Sequence, residues 1–245
     1  MGGLELNKTI VLCETLFYDY SMCGRYAYFA ELKQIIKRYS IDNVIDEPQS
    51  NYNIAPTDPV SIIVNHDDKR ECRTVRWGLL PNWIKDVKSF KGRPLINARS
   101  ETIDSNGLFR DSFKNRRCIV IASGYYEWKK NKTGKQAYFI HLNNRTISFA
   151  GIYDFWKDPI ENKLIPSCSI LTTTANQSSS QIHPRIPVIL QSKQWEDIWL
   201  NNKDYSSELL RQTFLSEEYQ ALNYYPVSNE VGNVKSGGKQ LINKI

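Results

Sequence analysis

Four short stretches of this 245-residue chain set chemically capable side chains beside strand-like runs: "MCGR" (22–25), "NARSET" (97–102), "ASGYYEW" (122–128) and "HPRIPVIL" (183–190). Between them they offer a thiol (Cys23), a carboxamide (Asn97), a carboxyl (Glu127), an imidazole (His183) and the guanidinium groups of Arg25, Arg99 and Arg185. A thiolate is a nucleophile, a carboxyl and an imidazole move protons, and a guanidinium fork matches phosphate oxygens. Cys23 directly follows an internal methionine, Met22. Inside a chain a cysteine is only a thiol. At a chain's first position it also carries a free α-amine, with reference pKa values of about 7.7–8.0 for the amine and about 8.5 for the thiol, so both nucleophiles are available near neutral pH. Each segment has a plainer explanation as well: Cys23 as a small buried thiol, Asn97 as a turn residue, Glu127 as half of a surface ion pair, His183 as a loop histidine satisfied by its neighbours.

The elements that must position these groups are mostly strands. "VSIIV" from Val60, "CRTVRW" from Cys72, "RCIVIA" from Arg117, "AYFIHL" from Ala137, "TISFAG" from Thr146, "CSILTT" from Cys168 and "IPVIL" from Ile186 are rich in β-branched and aromatic residues and predict strands. "AYFAELKQIIKRYS" places Phe29, Leu32, Ile35, Ile36 and Tyr39 on one helical face. "SKQWEDIWL" predicts a helix capped by Ser192, and "SSELLRQTF" a further one. The prolines of "NYNIAPTDPV" (51–60) predict a loop. Strands do not alternate regularly with helices, which argues against a doubly wound parallel sheet. Neither GxxxxGK[ST] nor GxGxxG occurs, so no phosphate-cradling loop is expected.

Composition narrows the function classes. The net charge of +6 suits an anionic partner such as nucleic acid, or simply a solvated basic surface. Five cysteines without a CxxC pair indicate neither a disulfide framework nor a zinc site, and the three scattered histidines supply no metal-binding spacing. No metal and no cofactor are expected, and reduced thiols point to a cytoplasmic protein. Residues 1–21 are interrupted by Glu5, Lys8, Glu14 and Asp19, unlike an export signal, and no apolar run reaches the length of a membrane span. The expected organisation is a leader or mis-assigned start over 1–21, one domain over 22–235, and a loosely ordered tail over 236–245.

In order and approximate spacing, the four segments together with "YNIAPT" (52–57), "WGLLPNW" (77–83) and "PVS" (226–228) resemble the SRAP family, the SOS-response-associated peptidase-like proteins that process abasic sites. The resemblance runs from Met22 to about residue 230. It implies an α+β single domain, with mostly antiparallel strands in a barrel-like curved sheet and a few flanking helices. It also implies a protein that binds single-stranded DNA containing an abasic site. Cys23, as the first residue, would cross-link to the open-chain sugar aldehyde: the amine condenses to an imine and the thiolate closes on the same carbon as a thiazolidine. Glu127 would be the acid/base, with Tyr125, Tyr126 and Trp128 keeping water from it. His183 would assist proton transfer, including during reversal, and Asn97 would hold Cys23 or the sugar. Arg25, Arg99 and Arg185 would clamp phosphates. Trp83 and Pro56 would form an apolar wedge beside the lesion, with Trp77 on the same DNA-binding surface. The family often reads HxRMP where this chain has Ile186, an apolar exchange expected to matter little.

Two other readings stay open. In a thiol peptidase, Cys23, His183 and Asn97 or Glu127 would form a Cys-His-Asx arrangement that removes residues 1–22 from the chain itself. In a plain single-strand binder, stacking and a basic groove would act without covalent chemistry. A monomer is expected throughout.

Overall fold

In a computed structural model, the described residues are 24–85, 94–132, 134–143, 145–176, 179–201, 206, 208–210 and 222–245. The leader and Cys23 lie outside them. So does most of the helix expected over 206–214, of which residues 208–210 are helical.

The apolar runs form a closed barrel. β4 (Pro59–His66), β5 (Lys69–Trp77), β7 (Arg117–Ala122), β10 (Ile147–Lys157) and β11 (Leu164–Thr174) pair in the order β11-β10-β7-β4-β5, and a parallel β5–β11 pairing closes the ring. All six residues of β7 are buried, which is why "RCIVIA" lacks polar alternation. Short strands extend this sheet: β2 (Asn43–Val44) beside β5, and β6 (Asn97–Arg99) and β12 (Arg185–Pro187) along β11. α1 (Leu32–Tyr39) buries Ile35 and Tyr39 one turn apart. α2 (Arg110–Asn115) precedes β7, and α3 (Lys193–Leu200) is capped by the Ser192 side chain, which accepts from the Trp195 amide.

A second, antiparallel sheet runs in the order β13-β9-β8-β1-β3: β13 (Asn223–Pro226), β9 (Gly134–His141), β8 (Gly124–Asn131), β1 (Tyr26–Tyr28) and β3 (Asn51–Ile54). Edge-to-face aromatic contacts join it to the barrel: Tyr26 against Trp77 (5.3 Å) and Phe149 (6.1 Å), and Tyr125 against Phe149 (5.8 Å). β8 alternates, as a strand must. Tyr125 faces the barrel core, while Tyr126 packs on the other side with Phe139 and Trp128. Gly124 admits Phe139 against the backbone of β8; a Cβ there would lie 2.3 Å from the Phe139 ring and 2.8 Å from the Ile140 carbonyl. The fold is thus α+β, mostly strands, with a barrel and flanking helices, as expected.

Two expectations are corrected. The 51–60 stretch is not all loop: β3 occupies Asn51–Ile54, because Tyr26 and Tyr28 of β1 offer it an edge. Residues 236–245 are not loose. A 3₁₀ turn at Lys239–Ile242 buries Leu241 completely, with Val227 and Val231, on the outer face of β8 and β9. Ile245 donates its amide to the Pro226 carbonyl at 3.1 Å. The polar and glycine-rich composition of "GNVKSGGKQLINKI" hides the apolar anchor that this face requires. Leu241→Ala is expected to destabilise the fold by about 2–5 kcal/mol; a urea midpoint unchanged from the parent would show that the segment contributes nothing.

Candidate active site

Strand alternation sends Glu127 inward from β8, beside Tyr125, where it is 1% exposed. It lines a pocket of about 340 Å³, open mouth included, whose walls are Tyr125, Ile140, Ile182, Ile186, Leu222 and Tyr224, with Ser179 and His183 opposite. The structure therefore brings Glu127 and His183, 56 positions apart (183 − 127), into one mostly apolar cleft. Of the aromatic neighbours expected around Glu127, Tyr125 shares the pocket, while Tyr126 turns the other way and donates its hydroxyl to the Tyr52 carbonyl at 2.7 Å. Trp128 packs on that outer side too, so neither it nor Tyr126 shields the carboxyl from within the cleft.

His183 is 7% exposed at the end of a loop held by a 3₁₀ turn, Ser179–Gln181. Its Nδ1 lies 3.2 Å from the Arg185 amide nitrogen and 3.0 Å from the Arg185 carbonyl oxygen. In one proton state Nδ1 accepts from that amide and Nε2 carries the hydrogen; in the other, Nδ1–H donates to that carbonyl.

β11 organises the remaining polar groups. Asn97 pairs with Ile170 and Arg99 with Thr172 on one side of the strand; Arg185 pairs with Thr174 on the other. Asn97 is half-buried and Arg99 exposed. Arg185 is not: its side chain is 15% exposed, and Nη1 and Nη2 each donate to Glu101 at 2.9 Å. Nη2 also donates to the Thr172 carbonyl at 2.6 Å. Burial alone would raise the Glu101 carboxyl, but the hydrogen bond from Arg185, a backbone hydrogen bond, the Arg185 charge and, least, the Thr174 hydroxyl together outweigh it and hold the group below the usual carboxylate range. The pair is therefore charged at neutral pH.

Arg25 and Trp77 are corrected as DNA-contact residues. Arg25 is 9% exposed, and its guanidinium donates to Asn53 Oδ1 (2.8 Å) and to the carbonyls of Val231 (2.8 Å) and Gly232 (3.0 Å). Burial pulls it below its ordinary pKa, partly offset by Asp58. It ties β1 to the C-terminal segment. Trp77 is fully buried, donating Nε1–H to the Ile96 carbonyl at 3.0 Å, so its ring is closed to a base. Trp83, in contrast, is 56% exposed. The loop beneath it is pinned: Leu80 and Ile84 pack with Trp156, and Trp156 Nε1 donates to the Ile84 carbonyl. Half-buried Pro56 sits in a turn whose Thr57 amide donates to the Trp77 carbonyl at 2.8 Å, so this turn and the Trp83 loop leave the same end of β5.

Tyr224, Leu222, Ile182 and Ser179 are pocket walls that no sequence motif marks. Alternation in "NYYP" points Tyr224 and Tyr225 to opposite faces, but only the sheet order reveals that Tyr224 meets Glu127's pocket. Glu101, inside the quoted "NARSET", carries a role that no local pattern marks. Among the described cysteines, Cys72, Cys118 and Cys168 are all buried. Burial pushes the Cys72 thiol up to about 11 and raises Cys118 and Cys168 as well, which makes them poor nucleophiles. No group of His, Cys, Asp and Glu side chains among the described residues is arranged to hold a metal.

Similarity to other proteins places the chain. The abasic site processing protein YoqW of Bacillus subtilis is 35% identical over 225 residues, spanning 90% of this chain and 99% of that protein. The abasic site processing protein YedK of Escherichia coli is 31% identical over 237 residues, spanning 91% and 100%. A crystal structure of a protein from Bacteroides thetaiotaomicron superposes with a TM-score of 0.81 at 25% identity, covering 91% of this chain and all of that one. The sequence profile described as SOS response associated peptidase (SRAP) matches residues 22–234. The chain belongs to the SRAP family.

Proposed function

We propose that this protein captures abasic sites in single-stranded DNA by a covalent bond from Cys23, acting as the first residue of the working chain. The observation that carries the reading is the shared pocket of Glu127 and His183 in a chain whose relatives are named abasic site processing proteins. The described cysteines are all buried and have their thiols raised, which favours Cys23 as the nucleophile.

The chemistry balances without a cofactor. Opening the closed sugar moves a proton from the anomeric hydroxyl to the ring oxygen, and Glu127 is the group suited to relay it. The Cys23 α-amine adds to the aldehyde carbon, and loss of water leaves an imine. The thiolate then adds to that carbon while the nitrogen takes a proton, closing a thiazolidine. His183, with a partner for Nδ1 in either proton state, can take and return protons without turning. An abasic sugar presents no base, so apolar walls face no base edge that they must satisfy; recognition falls to the aldehyde. Arg99 supplies a phosphate contact and Trp83 stacks on a neighbouring base.

This reading requires the amine. A chain that begins at Cys23 is expected to form an adduct stable to denaturation, whereas one retaining residues 1–22 forms none, as intact mass with an abasic oligonucleotide will report. An adduct at Cys23 with residues 1–22 still attached overturns the mechanism. Glu127→Gln is expected to slow capture by about 10²–10⁴-fold while leaving affinity for intact single strands unchanged; equal single-turnover rates in the two proteins remove Glu127 from the chemistry. Trp83→Ala is expected to weaken binding of single-stranded DNA by roughly 1–3 kcal/mol; titration by fluorescence anisotropy giving the same Kd would exclude the stacking contact.

A further inference from the structure

Glu101 has no part in the chemistry above, yet it is bonded at both oxygens to a residue whose backbone touches His183. We propose that Glu101 is a positioning residue: by gripping Arg185 across β11 it fixes the backbone amide and carbonyl that hold the His183 ring. The inference rests on the reading of His183 as the group that moves protons during capture.

The geometry runs in one connected line. Glu101 lies in the 3₁₀ turn Ser100–Thr102, directly after β6 on one side of β11. Arg185 opens β12 on the other side. The carboxylate spans the strand between them, accepting from Nη1 and Nη2 at 2.9 Å each and from the Thr174 hydroxyl at 3.3 Å. Such a fork-to-fork pair fixes orientation as well as distance. Arg185 is further held through the Thr172 carbonyl at 2.6 Å and hydroxyl at 3.1 Å. β12 is only three residues long and lies at the edge of its sheet, so its ladder alone restrains residue 185 weakly. Both contacts to Nδ1, at 3.2 and 3.0 Å, come from this residue's main chain. A small shift of the residue 185 main chain would favour one of these contacts over the other and change which ring nitrogen presents a hydrogen to the pocket.

The charge balance points the same way. Among the described residues, the ionisable groups beside His183 in the pocket are Glu127 and Tyr125 from β8 and Tyr224 from β13, with Arg185 on its own segment. Paired with Glu101, Arg185 adds little net field at the imidazole. Unpaired, its guanidinium would oppose protonation of His183 and would be released toward phosphate.

The test is ¹⁵N NMR of the His183 imidazole in the free protein, as a function of pH, in the parent, Glu101→Gln and Glu101→Asp, alongside single-turnover capture of an abasic oligonucleotide. Glu101→Gln is expected to change the tautomer pattern and the titration midpoint of His183 and to slow capture at least about tenfold, with retention of intact single strands equal to or tighter than the parent. Glu101→Asp, which keeps the charge on a shorter arm, should fall between. An unchanged His183 tautomer pattern and midpoint in a folded Glu101→Gln protein overturns the proposal. If Glu101→Gln does not fold, the same titration of Glu101→Asp decides it, with parental behaviour again the contrary result. A shifted imidazole with unchanged capture upholds the positioning role and counts instead against His183 in the proposed reaction.

Discussion

A carboxyl group taken out of water is the constraint from which the rest of this architecture follows. Removing a carboxylate from solvent costs several kcal/mol unless its surroundings answer it. A chain that carries Glu127 at 1% exposure must therefore build two well-packed layers to hold it. The barrel supplies one wall, through the 179–186 loop and β12. The antiparallel sheet supplies the other, through β8, β9 and β13. Tyr26, Tyr125, Trp77 and Phe149 join the layers by edge-to-face contacts.

Because β8 is a strand, burying Glu127 on one face commits Tyr126 and Trp128 to the other, and that outer face must be covered in turn. The segment from Val227 to Leu241 covers it. Arg25 fastens this cover to β1, the strand that follows Cys23 in the chain, by donating to the carbonyls of Val231 and Gly232. The segment from Val227 to Leu241 is thus tied to the strand that follows Cys23. A guanidinium that reads as a phosphate clamp in "MCGR" is in fact a structural tie, since a buried arginine must satisfy its donors within the protein.

The strands were legible in the sequence where composition alone decides them. "RCIVIA", "CSILTT" and "VSIIV" are rich in β-branched residues and almost wholly buried because barrel strands are covered on both faces, and each forms a strand. Ser192 announced its helix, since a cap is a local interaction. What escaped was non-local. β3 exists because β1, itself paired with β8, offers it an edge, and "NYNIAP" carries no strand pattern strong enough to outweigh its proline. In the candidate site, Glu127 and His183 were chosen as chemically able and the fold brings them together. Trp77 and Trp83 are the two tryptophans of one heptapeptide, yet one is fully buried and the other 56% exposed; nothing in "WGLLPNW" tells them apart. Arg185 and Arg99 differ in the same way, because the acidic partner of Arg185 lies 84 positions earlier in the chain.

In the proposed capture, nitrogen and sulfur of one residue meet at one sugar carbon. The most direct view of that event comes from an abasic oligonucleotide labelled with ¹³C at the aldehyde carbon, mixed with protein that begins at Cys23 and followed by carbon NMR. The labelled carbon is expected to end as a tetrahedral centre bonded to both nitrogen and sulfur. A carbon that remains in the closed sugar, or that ends as a persistent imine without a carbon–sulfur bond, would contradict it.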